Sequence, residues 1–257
     1  MVKIKILGCS GARSINSDPT CFLIDNKILI DAGSITRNLD DESLKHLEHL
    51  LITHSHFDHI ADLPFLMEKL FWIKEDPFTM HSSQESRDTI STHILNNNIW
   101  PNLVEIAKSR NEIFKWNEFS NLKTFKISNY EITPIRVNHI VPTDGLIIDN
   151  GKCSMAFTAD TYKTDQFWES CKNKKNLKAI IAGVSFPSEK QQTAKITKHL
   201  TPKLFYNEVK KLGRDDVKFY ISHIKPLFKK EVLSDLSKLP FQNHLDILED
   251  GREITIS

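Results

Sequence analysis

One seven-residue segment constrains the chain more than any other. Residues 53–59 are Thr-His-Ser-His-Phe-Asp-His, so three imidazoles and a carboxylate fall within six consecutive positions. The apolar run before them predicts a buried strand over 50–53, with the segment as the loop at its carboxyl end. Imidazole and carboxylate suit zinc and similar ions, whereas a merely histidine-rich surface loop lacks this ordered mix of ligand types. The segment predicts two metal ions on one loop, one bound by His54 and His56 and the other by Asp58 and His59.

Length and composition favour a globular protein with a full core. The chain has 257 residues, of which 40% are hydrophobic, enough for one large domain. Its formal net charge of +1 gives no overall field that would attract nucleic acid or an anionic membrane. The four cysteines include no C-x-x-C pair, which is typical of a reducing compartment. The N-terminal residues predict a strand and not a signal peptide, and no apolar stretch is long enough to span a bilayer, so we expect a cytoplasmic protein.

Strands and helices alternate along the chain without a linker or a repeat. The first three predicted strands form an antiparallel meander with a turn at Asp25-Asn26. The helix predicted after the histidine-rich loop requires Pro64 to lie in its first turn. Two sheets with helices outside are the natural packing of such a series, and we predict one domain over 1–257 with a helical insert at about 83–115. The later predicted strands are 122–127, 130–137, 145–148, 154–158, 179–184 and 217–221, and the later predicted helices are 86–95, 100–106, 164–171, 202–212 and 229–236.

Three more candidate ligands stand where a predicted strand gives way to a polar loop. They are His139, Asp160 and His223. Functional residues favour such positions on a rigid scaffold. For each residue taken singly, a hydrogen-bonded side chain with only a structural role is the alternative. Their joint pattern with residues 53–59 favours a metal site.

The order of these residues resembles that of a known superfamily. The H-x-H-x-D-H loop, a strand-end His, the Asp of Phe157-Thr158-Ala159-Asp160-Thr161 and a late His are similar to the metallo-β-lactamase superfamily over essentially the whole chain. The strand end Asp31-Ala32-Gly33 belongs to the same pattern. Gly183 departs from it, because many relatives have an acidic residue there. Shorter matching words at 53–59, 96–101, 184–187, 199–202 and 222–226 resemble the class II cyclic nucleotide phosphodiesterases.

The resemblance implies a fold and a set of site residues. The implied fold is an α/β protein of the αββα sandwich type, with two mixed sheets, helices on the outer faces and two divalent ions at one edge. Zinc is the expected metal, with manganese or iron as alternatives. Asp31 is expected to hydrogen-bond a ligand and not to bind metal itself. The implied ligands are His54, His56 and His139 for one metal and Asp58, His59 and His223 for the other, with Asp160 as the bridge.

The same resemblance implies a reaction. The expected activity is hydrolysis of a 3′,5′-cyclic nucleotide, cAMP or cGMP, to the 5′-monophosphate by a metal-bridging hydroxide. Asp58, Asp160 and His199 are the expected catalytic residues, although His199 is equally suited to bracing its loop. The alternative is another hydrolase of this fold, acting on RNA 3′ ends, cyclic dinucleotides or another ester, and a third hypothesis is a redox protein or a silent binding module. We expect a small-molecule substrate, no membrane and no stable nucleic-acid complex, with a homodimer as a further hypothesis.

Contacts to the substrate are less well defined by the sequence. Ser10 and Gly11 offer backbone donors to phosphate or form a tight turn, and the turn is favoured. Lys225 contacts phosphate or remains a solvated surface charge. Trp100 and Phe186 stack on a base or belong to the core, and the core is favoured.

Overall fold

Two seven-stranded sheets form the centre of the molecule in a computed structural model that describes residues 1–109, 112–241 and 244–257. The first sheet has the strand order 14-1-2-3-4-5-6 and the second 13-12-11-10-9-8-7. Each contains parallel and antiparallel pairs, so both are mixed, as predicted. The strands are β1 (Val2–Gly8), β2 (Cys21–Ile24), β3 (Ile28–Ile30), β4 (His49–Leu51), β5 (Phe78–Ser82), β6 (Phe114–Glu118), β7 (Phe125–Ile127), β8 (Tyr130–Arg136), β9 (Asp144–Asp149), β10 (Ser154–Phe157), β11 (Leu177–Gly183), β12 (Lys218–Ser222), β13 (Leu245–Ile247) and β14 (Glu253–Ile256).

Helices cover the outer faces of the two sheets, which completes the predicted αββα sandwich. Within the described ranges, every helix is too short or too polar to cross a membrane. The helices are α1 (Asp41–Lys45), α2 (Phe57–Ile60), α3 (Leu63–Ile73), α4 (Gln84–His93), α5 (Leu103–Ile106), α6 (Gln166–Lys172), α7 (Gln191–Ile196), α8 (Pro202–Val209) and α9 (Lys229–Leu236).

The apolar side chains form three layers, one between the sheets and one under each set of helices. Between the sheets, Phe22 of the first sheet contacts Phe157 of the second edge to face, with ring centroids 5.3 Å apart. Under the first set of helices, α3 buries Leu66 and Leu70 against the outer face of the first sheet. Under the second set, Trp168 of α6 is fully buried. Strands with buried residues on both faces appear in the sequence as nearly continuous apolar runs.

Local sequence signals explain the elements around the histidine-rich loop, residues 53–59. The meander is confirmed, since β1 pairs antiparallel with β2 and β2 with β3. Asp25 and Asn26 adopt left-handed backbone angles, with φ of 46° and 58°, which these short polar residues tolerate in turns. Pro64 lies at the start of α3, where its missing N–H breaks no helical hydrogen bond.

Residues 83–115, predicted as a helical insert, carry the connection between two parallel neighbours. Helices α4 and α5 lead from β5 to β6, which pair in parallel, and a parallel pair needs a crossover of this kind. Residues 110 and 111 of the segment lie outside the described residues. The sequence predictions contain no strand at β5, β6, β13 or β14, because these short strands are defined by their pairing partners. Strand β14, for example, pairs with β1 from the opposite end of the chain, Val2 against Ile256.

The strand directions bring the candidate ligands to one edge. Strands β10, β11 and β12 are mutually parallel, so their carboxyl ends meet. Strand β8 is antiparallel to β9, which is antiparallel to β10, so β8 ends at the same edge. His139, Asp160 and His223 follow β8, β10 and β12, and residues 53–59 follow β4 of the other sheet.

Candidate metal centre

The loop after β4 is held against the end of β3 by backbone contacts. The Ala32 N–H donates to the His59 carbonyl at 2.6 Å. At Gly33, an added Cβ would lie 2.4 Å from the backbone oxygen of Asp58, so only glycine allows this approach. The four-residue helix α2 carries Asp58 and His59 directly after His56. The third strand of the meander thus fixes the position of the histidine-rich segment.

Asp160 lies at the centre of the candidate ligands. Its side chain is buried, and five imidazoles surround its Oδ2 atom. The distances from Oδ2 are 3.2 Å to His223 Nε2, 3.4 Å to His59 Nε2, 3.8 Å to His54 Nε2, 3.8 Å to His199 Nδ1 and 3.9 Å to His139 Nε2.

The ligand atoms separate into overlapping groups whose members lie within 4.8 Å of one another. One group contains His54, His56, His139 and Asp160, a second contains Asp58, His59 and His223, and a third contains Asp160, His199 and His223. Short contacts lie within the first two groups: His56 Nδ1 is 3.0 Å from His139 Nε2, and His59 Nε2 is 3.1 Å from His223 Nε2. All seven residues that the resemblance implies as ligands are therefore brought together, and Asp160 is shared between groups.

Hydrogen bonds determine which nitrogen of three rings faces the centre. The Asp31 carboxylate can only accept, so His59 donates to it through Nδ1 at 2.7 Å. The Lys198 carbonyl likewise accepts from His139 Nδ1 at 3.0 Å. The Thr53 hydroxyl donates its one proton to Asp31. It therefore accepts a hydrogen bond from His54 Nδ1, 3.0 Å away. In the neutral form of each ring, Nε2 therefore presents a lone pair toward Asp160.

The lone pairs fit a cation better than they fit each other. His54 Nε2 is buried and has no hydrogen-bond partner among the described residues. It faces a carboxylate oxygen at 3.8 Å, so two acceptors point at each other. A buried polar atom without a partner is costly, and a divalent cation would satisfy both groups. The donor set therefore passes a physical test for a metal site.

The charge states agree with this interpretation. Burial lowers the pKa of His54, His56 and His139, so these rings are neutral near neutral pH, which is the form that binds metal. Burial opposes protonation of His59 too, yet the Asp160 and Asp31 carboxylates raise its pKa well above the usual value. A positive charge is thus drawn to the space between those carboxylates. The surrounding imidazoles hold the pKa of Asp160 well below its usual range, despite burial.

His199 completes the wall of the centre. Its ring stacks on His223, with centroids 5.3 Å apart, and contacts His139 and Phe186 edge to face. Burial lowers the pKa of His199 to about 3, so its imidazole is neutral near neutral pH. A neutral ring at this position offers one N–H and one lone pair to a substrate or an ion.

Four residues at or beside the centre have a left-handed backbone conformation. Asp31, Ala159, Lys198 and His223 have φ between 51° and 59°, a region that few residues other than glycine adopt. His223 is a candidate ligand, and Ala159 directly precedes another, Asp160. Asp31 accepts a hydrogen bond from His59, and the Lys198 carbonyl accepts one from His139. Such strain persists only where surrounding contacts enforce it, and it is common at functional sites.

Three residues that orient the candidate ligands were not predicted from the sequence. Thr53 and Lys198 position His54 and His139, and Ser185 Oγ lies 3.1 Å from His223 Nδ1. Thr53 and Ser185 follow strands, as the ligands do, and this was the available signal. Lys198 acts through its backbone carbonyl, for which the side-chain sequence offers no signal.

The structure shows the contacts of several residues that the sequence offered as substrate contacts or as departures from the family pattern. The N–H groups of Ser10 and Gly11 already donate to Asp18 and Ile224, so they serve the turn and are not free donors for phosphate. Trp100 packs against Phe65 of α3, with ring centroids 5.1 Å apart. At Gly183, an added Cβ would lie 3.1 Å from the Ala159 carbonyl oxygen and 3.5 Å from His223 Cβ, so a larger side chain here would press on both residues.

Comparison with known proteins connects this geometry to a family. Residues 2–209 match the model of the family described as Anti-Pycsar protein Apyc1. The chain belongs to that family. Among solved structures, YhfI of Bacillus subtilis, described as a metallo-beta-lactamase fold protein, has a TM-score of 0.81 at 17% identity over 99% of this chain and 100% of its own. Unliganded yeast PDE1 has a TM-score of 0.81 at 18% identity, covering 98% of both chains. The short form of human tRNase Z, ELAC1, has a TM-score of 0.71 at 15% identity, covering 99% of both.

These matches confirm the metallo-β-lactamase fold expected from the histidine-rich loop. Family and fold together mark this Apyc1-family chain as a metal-dependent hydrolase. The ligand roles of individual residues stay predictions, supported by the distances and hydrogen bonds described above.

Proposed function

We propose that the chain hydrolyses a 3′,5′-cyclic nucleotide to the 5′-monophosphate at a centre of two divalent ions. The membership of the Apyc1 family and the similarity of the fold to PDE1 support a phosphodiesterase. Zinc is the metal we expect, with manganese or iron as alternatives, because the donors are imidazole nitrogens and carboxylate oxygens. A cytoplasmic location stays a prediction of the sequence.

The observation that carries the proposal is the position of Asp160. Its Oδ2 atom lies within 4 Å of two histidines of the first group of ligand atoms and two of the second, as expected for a carboxylate shared between two ions. We assign His54, His56 and His139 to one ion and Asp58, His59 and His223 to the other. When bound, divalent ions in such a pair lower the pKa of water and offset charge on phosphoryl oxygens.

The residues of the chain contribute orientation and hydrogen bonds. Asp31, Thr53 and Lys198 keep the Nε2 lone pairs of three rings directed inward. We propose that His199 contacts the substrate. The N–H of its neutral ring would donate a hydrogen bond to an oxygen of the phosphodiester. Asp58 is 24% exposed, and an oxygen of its carboxylate that metal does not engage would accept the proton of the attacking water and donate it to the leaving 3′-oxygen.

The test is incubation of the metal-loaded protein with the 3′,5′-cyclic monophosphates of adenosine, guanosine, cytidine and uridine. Chromatography of the products resolves 5′- from 3′-monophosphates. We expect release of the 5′-monophosphate from at least one substrate, and no release after chelation. Hydrolysis of only bis(p-nitrophenyl) phosphate, of RNA 3′ ends or of a thioester would contradict the proposal and favour another hydrolase of the fold.

A further inference from the structure

Lys225 lies beside the metal centre without belonging to its ligands. It follows His223 by two residues, and its backbone N–H donates to the Ser185 carbonyl at 3.2 Å. The side chain is 25% exposed, so it is partly open to solvent. The backbone of Lys225 is therefore fixed, and its side chain is partly exposed.

The ammonium has two partners and three donors. It donates to the Gly11 carbonyl, and Nζ lies 3.5 Å from Asp58 Oδ2. The same Asp58 oxygen lies 3.3 Å from His223 Nε2, which places Lys225 at the edge of the second ligand group. Because an ammonium has three N–H bonds, the described residues leave at least one for another acceptor.

Glycine at position 11 makes this arrangement possible. An added Cβ would lie 2.9 Å from Cε1 and Nδ1 of His223. The backbone is also tied, since the Gly11 N–H donates to Ile224 at 3.2 Å and the His223 N–H donates to Cys9 at 2.6 Å. The loop after β1 and the end of β12 together direct the Lys225 ammonium along Asp58, so the cation is held in place before any ligand arrives.

We propose that Lys225 binds a non-bridging phosphoryl oxygen of the substrate and thereby favours anionic phosphodiesters over neutral esters. The inference rests on the proposed phosphodiesterase function and adds a substrate contact to it. Two divalent ions, the carboxylates of Asp31, Asp58 and Asp160, and the Lys225 ammonium leave a formal surplus of two positive charges. A hydroxide and a phosphodiester monoanion cancel that surplus. A neutral ester leaves one charge uncompensated in a buried site, which is unfavourable.

The test compares Lys225→Met, which keeps the length and removes the charge, with Lys225→Arg, which keeps the charge. Lys230→Met is the matched control, because it removes one exposed positive charge from the next helix. Each variant is loaded with zinc, and its metal content is measured by elemental analysis. Binding of inorganic phosphate is measured by calorimetry, and kcat and KM are measured with bis(p-nitrophenyl) phosphate.

For Lys225→Met at full metal occupancy, we expect phosphate affinity to fall about tenfold or more, the loss typical of a hydrogen bond to a charged group. We expect KM to rise, Lys225→Arg to recover part of the affinity, and Lys230→Met to match the original chain. Unchanged phosphate affinity in Lys225→Met would overturn the inference, as would a loss of metal with normal phosphate affinity once metal is restored, since Lys225 then only positions Asp58. If the original chain itself neither binds phosphate nor cleaves a phosphodiester, the proposed function fails as well.

Discussion

Asp31 organises two of the imidazoles without facing the centre. One carboxylate oxygen accepts from His59, and both accept from the Thr53 hydroxyl, which in turn accepts from His54. A chain of hydrogen bonds therefore sets the tautomer of two rings that we assign to different ions of the proposed centre. Partners of this kind raise ligand basicity and hold the ring orientation.

Removal of the Thr53 hydroxyl tests this chain of hydrogen bonds. Thr53→Val keeps the shape but no longer accepts from His54 Nδ1, so the ring can turn or change its tautomer. We expect metal affinity to fall about 10- to 100-fold in chelator competition. Thr89→Val is the control, because the exposed Thr89 hydroxyl donates to the Glu85 carbonyl on α4, away from the candidate ligands. Equal metal affinity for both variants would show that the Thr53 hydroxyl has no part in holding His54.

Asp144 gives the folding stability a pH dependence. Burial raises its pKa to about 6, although Arg136 at 3.0 Å opposes the shift. Its folded pKa lies above the unfolded value of about 3.9, so the stabilisation from the neutral form is full at low pH and is lost as the pH rises through 6.

We therefore expect Asp144→Asn to gain in the free energy of unfolding relative to the original chain as the pH rises. The gain between pH 4 and pH 7 should be about 2–3 kcal/mol. Urea denaturation at several pH values measures it. A difference between the two proteins that stays constant with pH would contradict the raised pKa.

At the scale of elements, the contact between the end of β3 and helix α2 determines where the histidine-rich loop lies. Gly33 allows the two backbones to approach, and an added Cβ would lie 2.7 Å from the Thr20 oxygen as well as 2.4 Å from that of Asp58. Both contacts are with backbone atoms, which cannot rotate away. A methyl group here must displace α2, which carries two of the proposed ligands.

Gly33→Ala should therefore reduce activity about 100-fold, the loss that a displacement of about 1 Å causes in a catalytic site. Gly213→Ala is the control, because φ of 62° makes alanine strained there while the nearest atom is 4.0 Å away. We expect the control to lose some stability and to keep its metal and activity. Full activity and metal content in Gly33→Ala would show that the approach of β3 to α2 is not needed.

At the scale of the whole molecule, the proposed ligands come from both sheets. Residues 53–59 extend from the first sheet and His139, Asp160 and His223 from the second, so a bound ion joins the two halves of the sandwich. A ligand that binds only the folded chain stabilises it in proportion to the logarithm of its concentration.

Removal of metal should thus lower the unfolding temperature. Free metal at about 100 times Kd contributes about 3 kcal/mol. We expect chelation to lower Tm in scanning calorimetry and added zinc to restore it. Asp160→Ala should show a much smaller difference in Tm between the metal-loaded and the chelated protein. We also expect this variant to lose turnover and to retain less of at least one metal. An Asp160→Ala variant with normal activity and both ions would refute the bridging role.

The sequence by itself determined the local features of this protein. The apolar periodicity gave β10 (Ser154–Phe157 against 154–158) and α9 (Lys229–Leu236 against 229–236) nearly to the residue. The imidazoles and carboxylates at 53–59 predicted the chemistry of the centre. The positions of His139, Asp160 and His223 at the ends of predicted strands indicated that they belong to it. Residue type and strand ends can be read from a local stretch of sequence.

Only the tertiary structure decided the features that depend on distant partners. Strand β14 exists through its pairing with β1, and Lys198 matters through a carbonyl whose direction is set by a left-handed φ. The direction of Lys225 is decided by Gly11, more than two hundred positions away in the chain. Such contacts arise from packing and backbone geometry, and neither is encoded in the pattern of one segment alone.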